Sequence, residues 1–231
     1  PCAHHGKTPP CCDLIIAKKI PRVVVGCVDS FSSVSGKGIA RMRESGIDVK
    51  VGVLEDASRF LNRRFFTLHE KSRPYIVLKW AESADGFIAP EDDKAGESVA
   101  ISSDASRALV HEWRAAEAGI LVGAGTVWSD NPSLTVRLAE GPNPLRIILG
   151  SYNIQNPQAK LFQDGGPSLW IHPEKGNLPE GVYHLIQDPK DLPTVLKKLA
   201  KLQIQSILVE GGTQVIQAFI DAGLWDEIRH F

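Results

Sequence analysis

One short segment, Gly119-Ile-Leu-Val-Gly-Ala-Gly-Thr126, constrains the fold of this chain more than any other. Its apolar run has the length of a buried strand, and the glycines that follow break the strand before Thr126. A strand that ends in a loop of exposed backbone N–H groups can accept a phosphate or pyrophosphate. The spacing also fits a plain turn whose glycines only allow tight packing, and it does not decide between the two interpretations.

A second corner of the same kind lies near the end of the chain. The apolar run Ser206-Ile-Leu-Val-Glu210 leads into Gly211-Gly212-Thr213 and then into an amphipathic helical pattern. Two such corners in one α/β domain make dinucleotide binding a stronger interpretation than either corner alone. The G-x-G-x-x-G fingerprint of a standard Rossmann domain is absent.

Strand and helix patterns alternate along the rest of the chain. Apolar runs predict strands over 22–28, 48–53, 75–81, 145–149 and 168–171, and helical periodicity predicts helices over 13–19, 56–66 and 192–202. This alternation predicts an α/β fold with a mostly parallel, helix-covered sheet. The polar segment 67–73 precedes Pro74 and predicts a linker, so we expect one domain over 1–66 and a second over 74–231.

Composition narrows the classes of function. The formal net charge is −1 and no long basic run occurs, which argues against nucleic acid or a membrane surface as partner. The N-terminus lacks an apolar signal region and no stretch of about 18 apolar residues occurs, so we expect a cytoplasmic protein. Small phosphorylated ligands need only local arginines, and Arg114 and Arg137 bracket the first glycine corner.

Three of the four cysteines, Cys2, Cys11 and Cys12, lie within the first twelve residues. In a reducing compartment such clustering points to a metal more than to disulfides. These cysteines could form a local zinc site with His4 and His5, but the spacing fits no common zinc finger. Pocket-lining positions for the two histidines and a small buried side chain for Cys12 are the stronger interpretation.

Several motifs taken together resemble one family. They are PCAHHGKTPPC (1–11), GKGI (36–39), LKWAESADG (78–86), the segment 123–137 and VEGG (209–212). Over nearly its whole length the chain is similar to the bifunctional pyrimidine deaminase/reductases of bacterial riboflavin biosynthesis. The resemblance implies the C-terminal part of a zinc-dependent, cytidine-deaminase-like domain over 1–66 and a dihydrofolate-reductase-like domain over 74–231. We expect both to be truncated, the second without its C-terminal strands.

For the first domain, the resemblance implies a Zn²⁺ ion bound by Cys2 and Cys11. In such deaminases the ion lowers the pKa of a bound water, which then attacks the amino-bearing ring carbon. The family takes its third zinc ligand and its proton-shuttling glutamate from an upstream His-x-Glu. We therefore expect an incomplete deaminase centre in these residues.

For the second domain, the resemblance implies NADPH-dependent reduction of a ribosylamino sugar to a ribitylamino one. Lys79 and Glu210 would face the sugar or the ring, and our hypothesis is that Lys79, together with Glu210 or Asp130, manages the protons. Ala100 departs from the family, because many members carry a tryptophan there, near the cofactor. The cofactor would contact Ala81, Thr126, Asp130, Ser151, Gly212 and Thr213, and the substrate would contact Ser98, Arg114, Leu134 through its backbone, Arg137 and Glu210.

Simpler interpretations of these residues stay open at this point. Arg114 could only favour a helix dipole, Glu210 could be a surface residue or a helix cap, and Asp130 could only form a turn. For the whole chain, the alternatives are a stand-alone folate-type or pteridine reductase and a zinc-stabilised nucleotide-binding module without turnover. We expect a small phosphorylated pyrimidine as substrate and a homo-oligomeric assembly.

Overall fold

A computed structural model of the chain describes residues 2–5, 8–31, 34–88, 101–150, 159–164, 166–174 and 181–231. The chain folds into two compact units, 1–72 and 73–231. Ser98, Ala100 and Ser151, which the sequence analysis singled out, lie outside the described residues. Among the described helices, none is both long and apolar enough to cross a membrane.

The first unit contains a pair of parallel strands and, in its described part, four helices. The elements are α1 (Cys11–Ala17), β1 (Arg22–Val25), α2 (Lys37–Glu44), β2 (Asp48–Val51), α3 (Glu55–Leu61) and α4 (Arg63–Lys71). Parallel strands need a crossover connection, and α2 provides it between β1 and β2. The buried core of this unit consists of Cys12, Ile39, Met42, Ile47 and Val49.

The expectation of a linker over 67–73 is wrong for most of that segment, which is the second half of α4. Thr67 and Leu68 are buried, because helical spacing turns one side of the segment toward the unit's interior. The polar residues that suggested a linker lie on the other side, where Glu70 accepts Arg59 Nη2 at 2.8 Å. The boundary comes at Ser72, which ends the helix in the left-handed region with φ 53°.

The second unit is built on a parallel sheet with helices on both faces. Its described strands are β3 (Tyr75–Trp80), β4 (Gly119–Gly123), β5 (Leu145–Leu149), β6 (Ser168–His172), β7 (Val182–Ile186), β8 (Ser206–Gly211) and β9 (Glu227–His230). Its described helices are α5 (Asp104–Ala116), α6 (Ala124–Asp130), α7 (Lys160–Gln163), α8 (Leu192–Lys201) and α9 (Thr213–Asp221). The strand order is β7-β6-β5-β4-β8-β3-β9, and every neighbouring pair is parallel. The expected α/β class with a parallel sheet is confirmed.

The structure differs from the sequence analysis at the first glycine corner. The residues expected to form an open loop are instead the end of β4 and the first turn of α6. Val127 explains the difference, because its buried side chain packs with Ile120 and Val122 and so favours helix immediately after the strand. Gly125 has open space around it and is part of the helix. The sequence analysis also missed β7, whose side chains are mostly exposed at the sheet edge.

Side-chain alternation along the strands separates two cores. On one face, Ile76 and Leu78 of β3 join the large cluster formed with α8 and α9. On the other face, Tyr75, Val77 and Leu208 pack with Trp113 of α5. Residues 75, 77 and 79 of β3 and residues 208 and 210 of β8 therefore lie on the face of the sheet that α5 covers.

The two glycine corners lie where the sheet changes its direction of winding. From β4 the chain continues to β5 on one side, whereas from β8 it passes over β3 to β9 on the other side. Open parallel sheets bind ligands at the carboxyl ends of the strands at such a point, because the connections diverge and leave a crevice. The topology thus identifies the ends of β4 and β8 as the place to look for a site.

A nearly buried ion pair connects the start of this unit to the segment before β9. Arg73 Nη2 donates to Asp226 Oδ1 at 2.8 Å, and Asp226 Oδ2 accepts the backbone N–H of Ile76 at 2.9 Å. The two side chains are only 12% and 7% exposed. Removal of one partner of such a pair leaves a charge that neither water nor protein neutralises.

We therefore expect Asp226→Asn to lower the free energy of unfolding of the second unit by about 3 kcal/mol. Asp104→Asn is the matched control, because Asp104 pairs with Arg107 on the surface, with a side chain that is 90% exposed. It should cost less than about 1 kcal/mol. Urea denaturation of both variants measures the difference, and equal losses would contradict the role assigned to the Asp226 pair.

Candidate active site

The glycine corners at the ends of β4 and β8 are in contact with each other. A Cβ atom added to Gly212 would lie 3.0 Å from Thr126 Oγ1, and one added to Gly211 would lie 3.0 Å from Thr126 Cγ2. A Cβ atom on Gly123 would lie 3.0 Å from Val215 Cγ2. The backbone here approaches its neighbours more closely than side chains would allow. Thr126 and Gly212 thus lie against each other at the point where the sheet topology predicts a crevice.

The N-terminus of α9 lies at this crevice. The helix begins at Thr213, directly after Gly212, whose φ of 76° lies in the left-handed region. No side chain of the described residues caps the first turn. The N–H of Val215 donates to the carbonyl oxygen of Gly212 at 3.0 Å, and the N–H groups before it, of Thr213 and Gln214, are the ones that water or a ligand can take. A helix N-terminus carries a partial positive charge, and the arrangement suits an anionic group such as a phosphate.

Glu210 occupies a β-bulge beside the crevice. Leu121 of β4 is in register with Val209, but the next β4 residue is in register with Gly211, so Glu210 is the additional residue. A bulge re-aims the side chain of its extra residue. Here the carboxylate accepts Arg114 Nε and Arg114 Nη2, both at 2.7 Å.

The Arg114–Glu210 pair is nearly buried, with 12% and 8% of the two side chains exposed. Arg114 Nη1 also donates to the carbonyl oxygen of Thr135 at 3.2 Å. These contacts occupy three of the five N–H donors of the guanidinium group, so Arg114 is a partner of Glu210 before it is a phosphate ligand. Arg114 therefore does more than interact with a helix dipole, and Glu210 is not a surface residue.

Lys79 lies beside the ion pair on the same face of the sheet. Leu78 of β3 is in register with Val209 of β8, which places Lys79 next to Glu210, and Arg229 of β9 is in register with Lys79 on its other side. Burial lowers the pKa of Lys79; the carboxylate of Glu210 opposes this shift and Arg114 adds to it. A lysine with a lowered pKa beside a fixed carboxylate is a suitable proton donor near neutral pH.

The segment after α6 carries Leu134 and Arg137. Leu134 is buried in the core, with 3% of the residue exposed, and its φ is 54°. The guanidinium group of Arg137 is exposed and donates to Thr135 Oγ1 at 2.8 Å. The segment thus presents a cation next to the Arg114–Glu210 pair.

Sequence reasoning missed His111, which is buried on α5 and contacts this segment. His111 Nδ1 accepts the backbone N–H of Arg137 at 3.0 Å. Burial lowers the pKa of His111, and the charges of Arg114 and Arg137 lower it further. The signal available in the sequence was its position three residues before Arg114, which places both on one side of the helix.

Two other predicted cofactor residues, Ala81 and Asp130, lie in the described part of the second unit. Ala81 directly follows β3, and Asp130 is the last residue of α6, one turn after Thr126. Asp130 Oδ1 accepts Ser129 Oγ at 2.7 Å. Asn131, whose φ is 44°, ends the helix directly after Asp130.

Cys2 and Cys11 of the first unit form a close pair of thiols. Their Sγ atoms lie 3.5 Å apart, and the backbone N–H of Cys11 donates to Cys2 Sγ at 3.2 Å. That backbone hydrogen bond, followed by the contact with the Cys11 thiol, lowers the pKa of Cys2. Two thiolates on one tetrahedral Zn²⁺ lie about 3.8 Å apart at bond lengths of about 2.3 Å, so the pair fits two ligand positions. Cys12, by contrast, is fully buried in the core.

Within the described ranges, no group of three or more His, Cys, Asp and Glu side chains could hold a metal ion. One His-x-Glu triplet that our sequence analysis overlooked, His172-Pro173-Glu174, occurs at the end of β6. It belongs to the second unit, where His172 Nε2 lies 3.0 Å from His184 Nδ1. The first unit therefore brings two thiols together, without a third such side chain among its described residues.

Comparison with known proteins gives consistent matches. A family model described as the RibD C-terminal domain matches residues 74–231. The chain is 40% identical to the riboflavin biosynthesis protein RibD of Bacillus amyloliquefaciens, covering 100% of this chain and 64% of that protein. It is also 40% identical to the RibD protein of Aquifex aeolicus, covering 100% of this chain and 66% of that protein. The chain thus spans just under two thirds of the length of these curated relatives.

Two solved structures share this fold. One is a diaminohydroxyphosphoribosylaminopyrimidine deaminase/5-amino-6-(5-phosphoribosylamino)uracil reductase from Thermotoga maritima, with 39% identity and a TM-score of 0.89 over 100% of this chain and 64% of that one. The other is RibD of Acinetobacter baumannii, with 34% identity and a TM-score of 0.90 over 100% of this chain and 65% of that one. Both units of the chain therefore have counterparts in solved structures.

The charge arrangement around Lys79 leads to a titration experiment. In Glu210→Gln the carboxylate that raises the pKa of Lys79 is gone and the charge of Arg114 is no longer neutralised, so the pKa of Lys79 should fall further. Glu112→Gln is the matched control, because Glu112 is exposed on α5, the helix that carries Arg114. This change should leave the titration of Lys79 unchanged. The ¹³Cε chemical shift of Lys79 followed against pH measures both, with Lys79→Arg for assignment. An unchanged or raised pKa in Glu210→Gln would contradict this arrangement.

Proposed function

The chain belongs to the RibD family of riboflavin biosynthesis enzymes, and from that premise we propose that its second unit is an NADPH-dependent reductase of a phosphorylated ribosylaminopyrimidine. One observation carries the proposal: Lys79 and the Arg114–Glu210 pair lie beside the ends of β4 and β8, where Gly211 and Gly212 pack against Thr126. A proton donor and a binding place for the cofactor's phosphates are two parts that such a reduction needs. The name of the Thermotoga maritima protein includes this reductase activity.

The crevice residues fit a dinucleotide. A Cβ atom would fill the space between Gly212 and Thr126, and the first turn of α9 has no side-chain cap, so the backbone there can receive phosphate oxygens. We assign Thr126, Gly212 and Thr213 to the phosphates, and the carboxylate of Asp130 to a ribose hydroxyl group. Ala81 would contact the cofactor from the end of β3, and Ser151 keeps its predicted cofactor role. When bound, NADPH supplies a hydride for the C1′ carbon of the substrate's sugar.

Lys79 and Glu210 have complementary roles in this proposal. Lys79 donates the proton that the ring oxygen of the sugar takes up as the ring opens. Glu210, held by Arg114, keeps Lys79 oriented and favours its charged form despite burial. The Arg114–Glu210 pair also excludes water from the face of the sugar, because both of its side chains are nearly buried.

The substrate phosphate would lie against the segment 134–137. Arg137 supplies an exposed guanidinium group, and two N–H donors of Arg114 remain beyond its contacts with Glu210 and Thr135. The backbone of Leu134 and the side chain of Ser98 complete the predicted set. We also propose a cytoplasmic location and a homo-oligomer, without a nucleic-acid or membrane partner.

For the first unit, we propose the C-terminal part of a cytidine-deaminase-like domain. The thiol pair of Cys2 and Cys11 supports this, because its Sγ separation of 3.5 Å suits two ligands of one zinc ion. The third ligand and the catalytic glutamate would come from the upstream His-x-Glu of the family. When bound in the complete site, zinc supplies an activated water for hydrolytic deamination.

Kinetics separate the roles of the reductase residues. Lys79→Gln should lower kcat for NADPH-dependent reduction by about 100-fold or more and leave the Kd for NADPH unchanged, because it removes only the proton donor. Gly212→Ala should instead raise the Kd for NADPH about tenfold, because the new Cβ fills the cradle beside Thr126. Gly223→Ala is its control, since Gly223 has a φ of 62° with open space around it.

Oxidation of NADPH at 340 nm with the phosphorylated ribosylaminopyrimidine measures kcat, and fluorescence titration measures the Kd. Reduction of dihydrofolate in preference to this substrate would favour the folate-type alternative. Tight NADPH binding without turnover of either substrate would favour a nucleotide-binding module.

Metal content tests the proposal for the first unit. In a chain extended to the length of its relatives, we expect about one zinc per chain, lost in both Cys2→Ser and Cys11→Ser because each removes one ligand. Cys27→Ser changes a half-buried cysteine outside the pair and should keep the zinc. Full zinc content in Cys2→Ser, measured by atomic emission, would show that the thiol pair is not the ligand set.

A further inference from the structure

The segment 134–137 has no regular secondary structure, and side chains hold its backbone. Arg114 Nη1 donates to the carbonyl oxygen of Thr135 at 3.2 Å, Asn143 Oδ1 accepts the N–H of Val136 at 2.7 Å, and His111 Nδ1 accepts the N–H of Arg137 at 3.0 Å. Backbone groups outside helices and sheets need such partners. Three consecutive residues are therefore positioned by contacts from outside the segment.

His111 makes the contact that bears most directly on Arg137. The guanidinium group of Arg137 contacts only the nearby Thr135 Oγ1, at 2.8 Å, among the hydrogen-bond partners in the described residues. That contact lies within the same segment and does not attach it to the fold. The backbone bond to His111 does, because His111 is 5% exposed on the rigid helix α5.

His111 can accept this bond only while Nδ1 has a lone pair, which requires a neutral ring. The charged groups that face it are Arg114 on its own helix, Arg137 in the segment and Glu210 on β8. Burial and the two arginines lower the pKa of His111, while Glu210 and the backbone of Thr135 oppose the shift. The surroundings thus favour the neutral, accepting form.

We propose that His111 is a positioning residue for phosphate recognition: by accepting the N–H of Arg137, it holds the guanidinium group of that residue where a phosphomonoester binds. The inference rests on the proposed function, because it assigns the substrate's phosphate to this segment. It adds a residue that does not touch the ligand and that acts through the backbone of Arg137. Its effect should accordingly be limited to ligands that carry the phosphate.

Three variants of His111 separate positioning from general packing. His111→Asn keeps an acceptor at the position of Nδ1, His111→Gln moves the acceptor one atom further from the helix, and His111→Leu removes it. Asn and Gln are both neutral amides, so this pair remains informative if His111→Leu does not fold. Ribose 5-phosphate is the probe, unphosphorylated ribose is its counterpart, and calorimetry on the full chain measures binding without turnover.

We expect His111→Leu and His111→Gln to raise the Kd for ribose 5-phosphate about tenfold, the effect of one lost hydrogen bond that positions Arg137. His111→Asn should stay within about twofold of the wild-type protein, because the acceptor is kept. The Kd for NADPH should not change in any of the three. In turnover, KM for the phosphorylated substrate should rise while kcat stays constant.

Three outcomes would overturn the inference, and they differ from one another. Wild-type binding of ribose 5-phosphate no tighter than ribose would remove the phosphate site itself, and with it that part of the proposed function. If the wild-type protein binds ribose 5-phosphate more tightly than ribose, and this Kd is unchanged in both His111→Leu and His111→Gln, the phosphate site stands and only the role of His111 is disproved. Equal losses for ribose 5-phosphate and NADPH in all three variants would show that His111 acts through general packing.

Discussion

The nearly buried ion pair between Arg114 and Glu210 is the interaction on which the rest of the candidate active site depends. Transfer of two charges out of water is unfavourable, and the pair offsets this with two short N–H···O bonds and a third bond to the carbonyl of Thr135. Through these bonds one guanidinium group joins β8, α5 and the segment that carries Arg137. Lys79 lies beside the same carboxylate, which favours the charged form of Lys79 against the effect of burial.

The topology of the sheet explains why this chemistry and the glycine crevice are neighbours. In a parallel sheet all carboxyl ends lie at one edge, and between β4 and β8 the connections leave in opposite directions. Glycine at Gly123, Gly211 and Gly212 then lets α6 and α9 approach the strand ends closely. The β-bulge at Glu210 turns one carboxylate toward α5 without ending the strand, because a bulge adds a residue and keeps the flanking register.

Several parts of the site could be predicted because they follow from local patterns. Lys79 interrupts an apolar strand, and Glu210 ends one immediately before two glycines. Burial of a charged side chain is unfavourable unless it has a partner, so both residues could be singled out from the sequence. The failures have equally physical causes. The segment 67–73 has a polar side that looks like a linker, although its other side is buried in helix α4. Strand β7 was missed because an edge strand with exposed side chains lacks the apolar run of a central one.

By itself, the sequence determined the α/β class, the parallel sheet and most strand positions, because these follow from the spacing of apolar residues within short stretches of the sequence. Only the tertiary structure decided that Arg114 pairs with Glu210, 96 residues later, and that Thr126 lies against Gly212. The role of His111 likewise required the fold, since its partner Arg137 is 26 residues away. These contacts depend on the order of strands in the sheet, and strand order arises from packing over the whole unit, which no local pattern encodes.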